Sequence, residues 1–210
     1  MENTIKQHTA DYAFELLCTA FPPIAAIKNT KDYFANLSNT ILLDKIKCFI
    51  QNQDSDFDEW LKISCDFQND STNYTKTIKM LIYTLNSIND EMKNHVYSNL
   101  FRSYKLNRIS KGCLLRLSSI LPIIFYDDLL FLKNNVRSIL SSQTMNQLNA
   151  LSVQNLFNHG LLRLTKEAAG WGGDPLIKEY ACSPYGLEMV RCGVDFDNYN
   201  RYKGLHDDFI

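Results

Sequence analysis

The stretch Leu156-Phe157-Asn158-His159-Gly160-Leu161-Leu162-Arg163-Leu164-Thr165, followed by Ile177-Lys178-Glu179-Tyr180-Ala181-Cys182-Ser183-Pro184, decides the fold. His159-Gly160 reads as a helix C-terminus, because glycine takes the left-handed backbone that ends a helix without steric cost. Leu161 to Thr165 then reads as a short strand and Gly170-Trp171-Gly172-Gly173-Asp174-Pro175 as a turn. Ile177 to Cys182 is the returning strand. Ser183-Pro184 supplies a cap and a first-turn proline for a last helix carrying Leu187, Met189 and Val190.

Upstream of this point the periodicity is helical. Tyr12, Glu15, Leu16 and Thr19 give one turn pattern, and after Pro22-Pro23 a second helix carries Ile24, Ile27, Tyr33 and Phe34. Leu42, Ile46, Phe49 and Ile50 form an apolar stripe opposite Asp44, Lys45 and Lys47. The carboxylates of Asp54, Asp56, Asp58 and Glu59 precede Leu61 and Ile63, as the positive end of a helix dipole favours. A long helical region is predicted from Thr72 to Tyr104, bent at Asn89-Asp90, with Ile78, Leu81, Ile82, Leu85 and Ile88 on its first apolar face. Ile109 through Leu121 reads as a buried helix ended near Pro122, and Asp127-Asp128 opens the next. The chain is expected to stay helical to Phe157, and Asp195 to Asn200 reads as loop.

Composition bounds the function. Hydrophobic residues make up 45% of the 210 and charged residues 21%, a balance that supports a packed core rather than disorder. With 22 Lys and Arg against 23 Asp and Glu, no overall field gathers nucleic acid or an anionic membrane. Cys18, Cys48, Cys65, Cys113, Cys182 and Cys192 form no CxxC pair, which fits a reducing, cytoplasmic compartment. Glu2, Lys6, His8 and Asp11 open the chain in place of a signal-peptide pattern. The apolar run Tyr12 to Ile27 carries Glu15 and is shorter than the roughly 20 residues of a spanning helix, so a buried hairpin is expected and stable membrane insertion is not.

Leu156 to Leu162, followed by Tyr180-Ala181-Cys182-Ser183-Pro184-Tyr185-Gly186-Leu187-Glu188-Met189, resembles the ending of many bacterial winged-helix modules: short helix, Gly-Leu-Leu, wing, Y-x-L-T-x-x-G. Lys45 to Ile50, Leu100 to Tyr104 and Ile109 to Leu117 are similar to a diffuse group of uncharacterised bacterial helical proteins with such a module. The resemblance implies a mainly α protein: a helical domain over 1–122, a small winged helix with a two-stranded wing over 123–195, and a tail over 196–210. Through the genes such proteins resemble, it also implies a place in phage–host conflict.

A winged helix raises the question of DNA, which charge answers. Phosphate contacts need Lys and Arg on the recognition helix and wing, yet none stands between Asn149 and Gly160. From Tyr126 to Cys192, Lys133, Arg137, Arg163, Lys166, Lys178 and Arg191 are matched one for one by Asp127, Asp128, Glu167, Asp174, Glu179 and Glu188. DNA is therefore disfavoured and a protein partner expected. Trp171, between glycines at a loop tip, is the candidate anchor, framed by Arg163, Lys166 and Lys178.

Catalytic signals are absent or explained otherwise. Asp54-x-Asp56-x-Asp58 begins like a calcium loop, but Glu59 replaces the required glycine and Cys65 the bidentate Glu. His8, His95, His159 and His206 have no paired-ligand spacing, so no metal or cofactor is expected. Arg201-Tyr202-Lys203-Gly204-Leu205-His206 has the R-x4-H spacing of helical ribonucleases resembling the HEPN family, interrupted by Gly204. The expected function is thus a non-enzymatic adaptor or regulator; a winged-helix transcription regulator is the first alternative and a HEPN-like ribonuclease toxin the second. Tyr97, Phe101 and Tyr104, at helical spacing, are expected in the core.

Overall fold

The computed structural model describes Lys45, Phe49, and residues 83–168 and 176–205. The expected helices over Tyr12 to Phe34, the carboxylate-rich segment 54–59 and the Trp171 turn lie outside the described residues. The chain divides into two compact units, Met1–Ser98 and Asn99–Ile210.

In the first unit, Phe49 packs against Tyr97 with ring centroids 5.5 Å apart, and Leu85, Ile88 and Val96 are buried. Lys45 donates to the Asn86 carbonyl at 3.2 Å. The helix over 83–87 stops at 88–90, the bend expected at Asn89-Asp90. Asp90 then caps α1 (Glu91–Lys105) by accepting from the Lys93 N–H.

The second unit takes up the end of α1 and adds α2 (Lys111–Ile120), α3 (Tyr126–Asn135), β1 (Leu140–Ser141), α4 (Gln147–Asn158), β2 (Leu162–Ala168), β3 (Ile177–Cys182) and α5 (Pro184–Met189). A π-helical turn, Val190–Val194, and a 3-10 segment, Phe196–Tyr202, follow. The architecture is mainly helical with one small antiparallel sheet in the order β1-β3-β2. Helix starts follow local chemistry: Ser110, Asn146 and Ser183 each accept from a backbone N–H in the first turn that follows.

Two stretches differ from expectation. Residues 136–146 break the helix predicted to run to Phe157, because Leu140 and Ser141 pair with Tyr180 and Glu179 of β3 and Ser142 bonds Lys178 in both directions. The pairing partner lies some forty residues away, so no local pattern announces it. Asp195 to Asn200, expected as loop, is largely 3-10 helix, with Phe196 and Tyr202 buried. Its anchor is Asp195, which accepts from Lys133 at 2.7 Å, from Asn198 at 3.1 Å and from the Tyr202 hydroxyl.

Leu156, Leu161, Tyr180 and Leu187 are buried, whereas Leu164 is 37% exposed although it stands opposite Tyr180 in register. Tyr180 lies on the central strand, with the Phe157 ring of α4 edge-on to it at 5.3 Å. Leu164 lies on an edge strand.

Gly186 of α5 sits so close to β2 that an added Cβ would fall 2.1 Å from the Leu161 carbonyl oxygen. Gly186→Ala is therefore expected to cost about 3 kcal/mol, the upper part of the usual overpacking range. Gly112→Ala, whose Cβ would meet only the Ser110 hydroxyl at 3.9 Å, should gain about 0.5 kcal/mol by restricting the unfolded chain. Urea denaturation of both variants checks the opposite signs.

Burial pushes the Asp195 carboxyl up, but the hydrogen bonds from Lys133, Tyr202 and Asn198 outweigh it and hold the group below the ordinary carboxylate value. Its contribution to stability is complete above the unfolded-chain value of about 3.9 and is lost as pH falls through the lower folded value. The advantage of the wild type over Asp195→Asn, measured by urea denaturation, should shrink on acidification through that window.

Candidate functional site

The outward face of α4 carries no charged side chain. On α4, Val153 and Leu156 are buried, and Asn155 donates to Asp128 of α3 at 2.7 Å, which fixes the helix against its neighbour. The opposite side presents Leu148, 76% exposed, and Leu151, 64% exposed. Three residues apart on one helix, they share a face, with exposed Ala150 and Gln154 beside them. α3 and α4 are joined through residues 136–146, which include β1, rather than by the three- or four-residue turn of a helix-turn-helix.

The sheet places the expected partner-binding cations on adjacent strands. Lys166 stands opposite Glu179 and pairs with it at 3.5 Å; Lys178 stands opposite Glu167 and pairs at 3.4 Å. Arg163 is exposed on β2, opposite Ala181. The register shifts between Leu164 and Lys166, and the Thr165 hydroxyl there donates to the Glu179 carbonyl. Such an irregularity blunts an edge strand against further pairing. Trp171 lies outside the described residues, so its relation to these three cations stays an expectation.

A second cluster went unread in the sequence. The Arg102 guanidinium carbon lies 4.5 Å from the Phe196 ring centroid, and that of Arg108 lies 4.7 Å from the same ring and 4.4 Å from Tyr199. Arg191 lies 5.3 Å from Tyr199 and is held by both carboxylate oxygens of Glu188. Arg116 stacks on Tyr185 at 4.1 Å. These residues are scattered from position 102 to position 199, and only the fold interleaves them.

Comparison of the chain with family models, curated proteins and solved structures finds no match.

Nucleophilic chemistry finds little footing in the thiols. Burial pushes Cys182 and Cys192 up to about 12 and Cys113 up to about 11, so all three stay protonated near neutrality. Among the described residues no group of three His, Cys, Asp or Glu side chains is placed to hold a metal ion. Arg201, of the R-x4-H spacing, sits on the 3-10 segment and its carbonyl accepts from Arg137 at 3.0 Å; His206 lies outside the described residues. Of the expected core stripe, Tyr97 and Phe101 are buried, while Tyr104 is half-buried. Among the described residues no helix is long and apolar enough to cross a membrane.

The two cross-strand ion pairs are solvent-exposed, and such pairs contribute less than about 1 kcal/mol. Replacing Lys166 and Lys178 together by Gln should thus move the urea midpoint little. A large loss would mean that the lysines hold the hairpin together rather than decorate it.

Proposed function

We propose that this protein is a non-enzymatic adaptor or regulator, and that its second unit is a winged-helix-type module that docks a protein partner. The observation that carries this reading is the outward face of α4, where Leu148 and Leu151 are exposed and no Lys or Arg stands on the helix. Exposed leucines without cations match the apolar centre of a protein interface, where charge is depleted. Duplex DNA asks for the reverse, because its affinity comes largely from phosphate contacts. The pairing of Lys166 and Lys178 with Glu179 and Glu167 removes two more cations from that task.

In this reading the partner is a protein with a complementary apolar surface. Trp171 is its second anchor, with Arg163 at the edge of the contact. The resemblance to bacterial helical proteins with winged-helix endings adds a cytoplasmic setting in phage–host conflict.

A photo-crosslinking residue at position 151 in the native host is expected to give one discrete protein adduct, absent when the same residue is placed at exposed Lys203. Leu148→Asp, and separately Trp171→Ala, should weaken binding of that purified partner at least tenfold while the circular dichroism spectrum stays unchanged. Fluorescence anisotropy with duplex DNA near 150 mM salt should show no binding. Tight, sequence-specific duplex binding that disappears when Arg163 and Lys166 are neutralised would replace the adaptor with a transcription regulator.

A further inference from the structure

We infer that the arginine–aromatic ladder of the second unit is an oxyanion site, built to take a phosphate group, free or carried on a small molecule. Arg102, Phe196, Arg108, Tyr199 and Arg191 alternate cation and ring, with every cation-to-centroid distance between 4.4 and 5.3 Å. Stacking on rings covers the faces of a guanidinium and leaves its N–H donors pointing outward in the plane.

For Arg108 one of those donors lacks an acceptor. Its Nη1 is buried without a hydrogen-bond partner, and among the described residues no carboxylate lies within ion-pair distance of it. A buried charged donor without an acceptor is costly and rare in folded proteins, and a bound ion is one of the few things that accounts for it. Tyr199 and Arg108 are both half-buried, so the ladder opens to solvent on one side.

The balance of charge selects the ligand. Arg191 is neutralised by Glu188, but Arg108 and Arg116 have no carboxylate partner among the described residues. The uncompensated guanidinium of Arg108, which shares the Tyr199 ring with the neutralised Arg191–Glu188 pair, suits an oxyanion such as a phosphate. The planar fork of Arg108 matches two phosphate oxygens at once.

The platform is held from behind. Asn99 donates to the Gly193 carbonyl at 2.9 Å, and the Ser103 hydroxyl donates to the Cys192 carbonyl at 2.9 Å. Both bonds tie α1 to the π-helical turn that carries Arg191, and π turns recur at functional sites.

The test is calorimetric titration of the full chain with inorganic phosphate, adenosine 5'-monophosphate and adenosine, at constant ionic strength in chloride. Phosphate is expected to bind, adenosine not. Arg108→Lys, which keeps the charge and gives up the fork, should lose at least tenfold in affinity, and Arg108→Met should abolish binding. Tighter binding of the monophosphate than of phosphate makes a nucleotide the source of the phosphoryl group, and equal binding makes it free phosphate; both support the site. In the wild type, phosphate should also shift the ring resonances of Tyr199, a readout that needs no variant to fold. Failure of both phosphate and the monophosphate to bind, an unmoved Tyr199, or unchanged affinity in a folded Arg108→Lys would overturn the assignment.

Discussion

The second unit depends on a junction of four residues where the end of α4 meets the start of α5. Ser183 donates its N–H to the Leu161 carbonyl at 3.0 Å and its hydroxyl to the Gly160 carbonyl at 2.6 Å, while the same hydroxyl accepts from the Gly186 N–H at 3.0 Å. Gly160 has φ of +72°, a left-handed conformation that a side chain resists. Gly186 leaves no room for a Cβ. One serine therefore satisfies both a helix start and a helix end, and the two glycines allow the backbones to come that close. The β2–β3 pair is anchored here, at the end where Leu162 stands opposite Cys182.

From that anchor the distribution of charge follows. The hairpin sets Lys166 and Lys178 against Glu179 and Glu167, which cancels their fields in pairs, while α4 turns uncharged leucines outward. The arginines gather instead where α1, α2, the π turn and the 3-10 segment meet aromatic rings. A chain of net charge -1 can thus carry an uncharged helix face and, apart from it, arginines stacked on aromatic rings. Net charge describes neither of them.

The 3-10 segment owes its place to Asp195. A buried carboxylate is tolerated only when its lone pairs are filled, and Lys133, Asn198 and Tyr202 fill them. That bond set fixes Phe196 and Tyr202 inward, and with Phe196 it fixes one rung of the arginine ladder. A structural ion pair and the candidate anion site are therefore mechanically linked.

What the sequence determined by itself was local. Ser183-Pro184, His159-Gly160 and the β-branched or aromatic residues between Ile177 and Cys182 carry their conformations in their own chemistry, and the two strands and the helix that follows them were legible from them. The absence of cations on α4 was equally plain, since composition along one helix needs no partner. Tertiary structure alone decided the rest. β1 exists only because β3 pairs with Leu140 and Ser141, a contact that no short window contains. Leu164 sits in an apolar run, yet its place on an edge strand leaves it partly exposed. Arg102, Arg108, Arg191 and Tyr199 show nothing in common until folding stacks them, because a cation–π contact depends on distance in space and has no period along the chain.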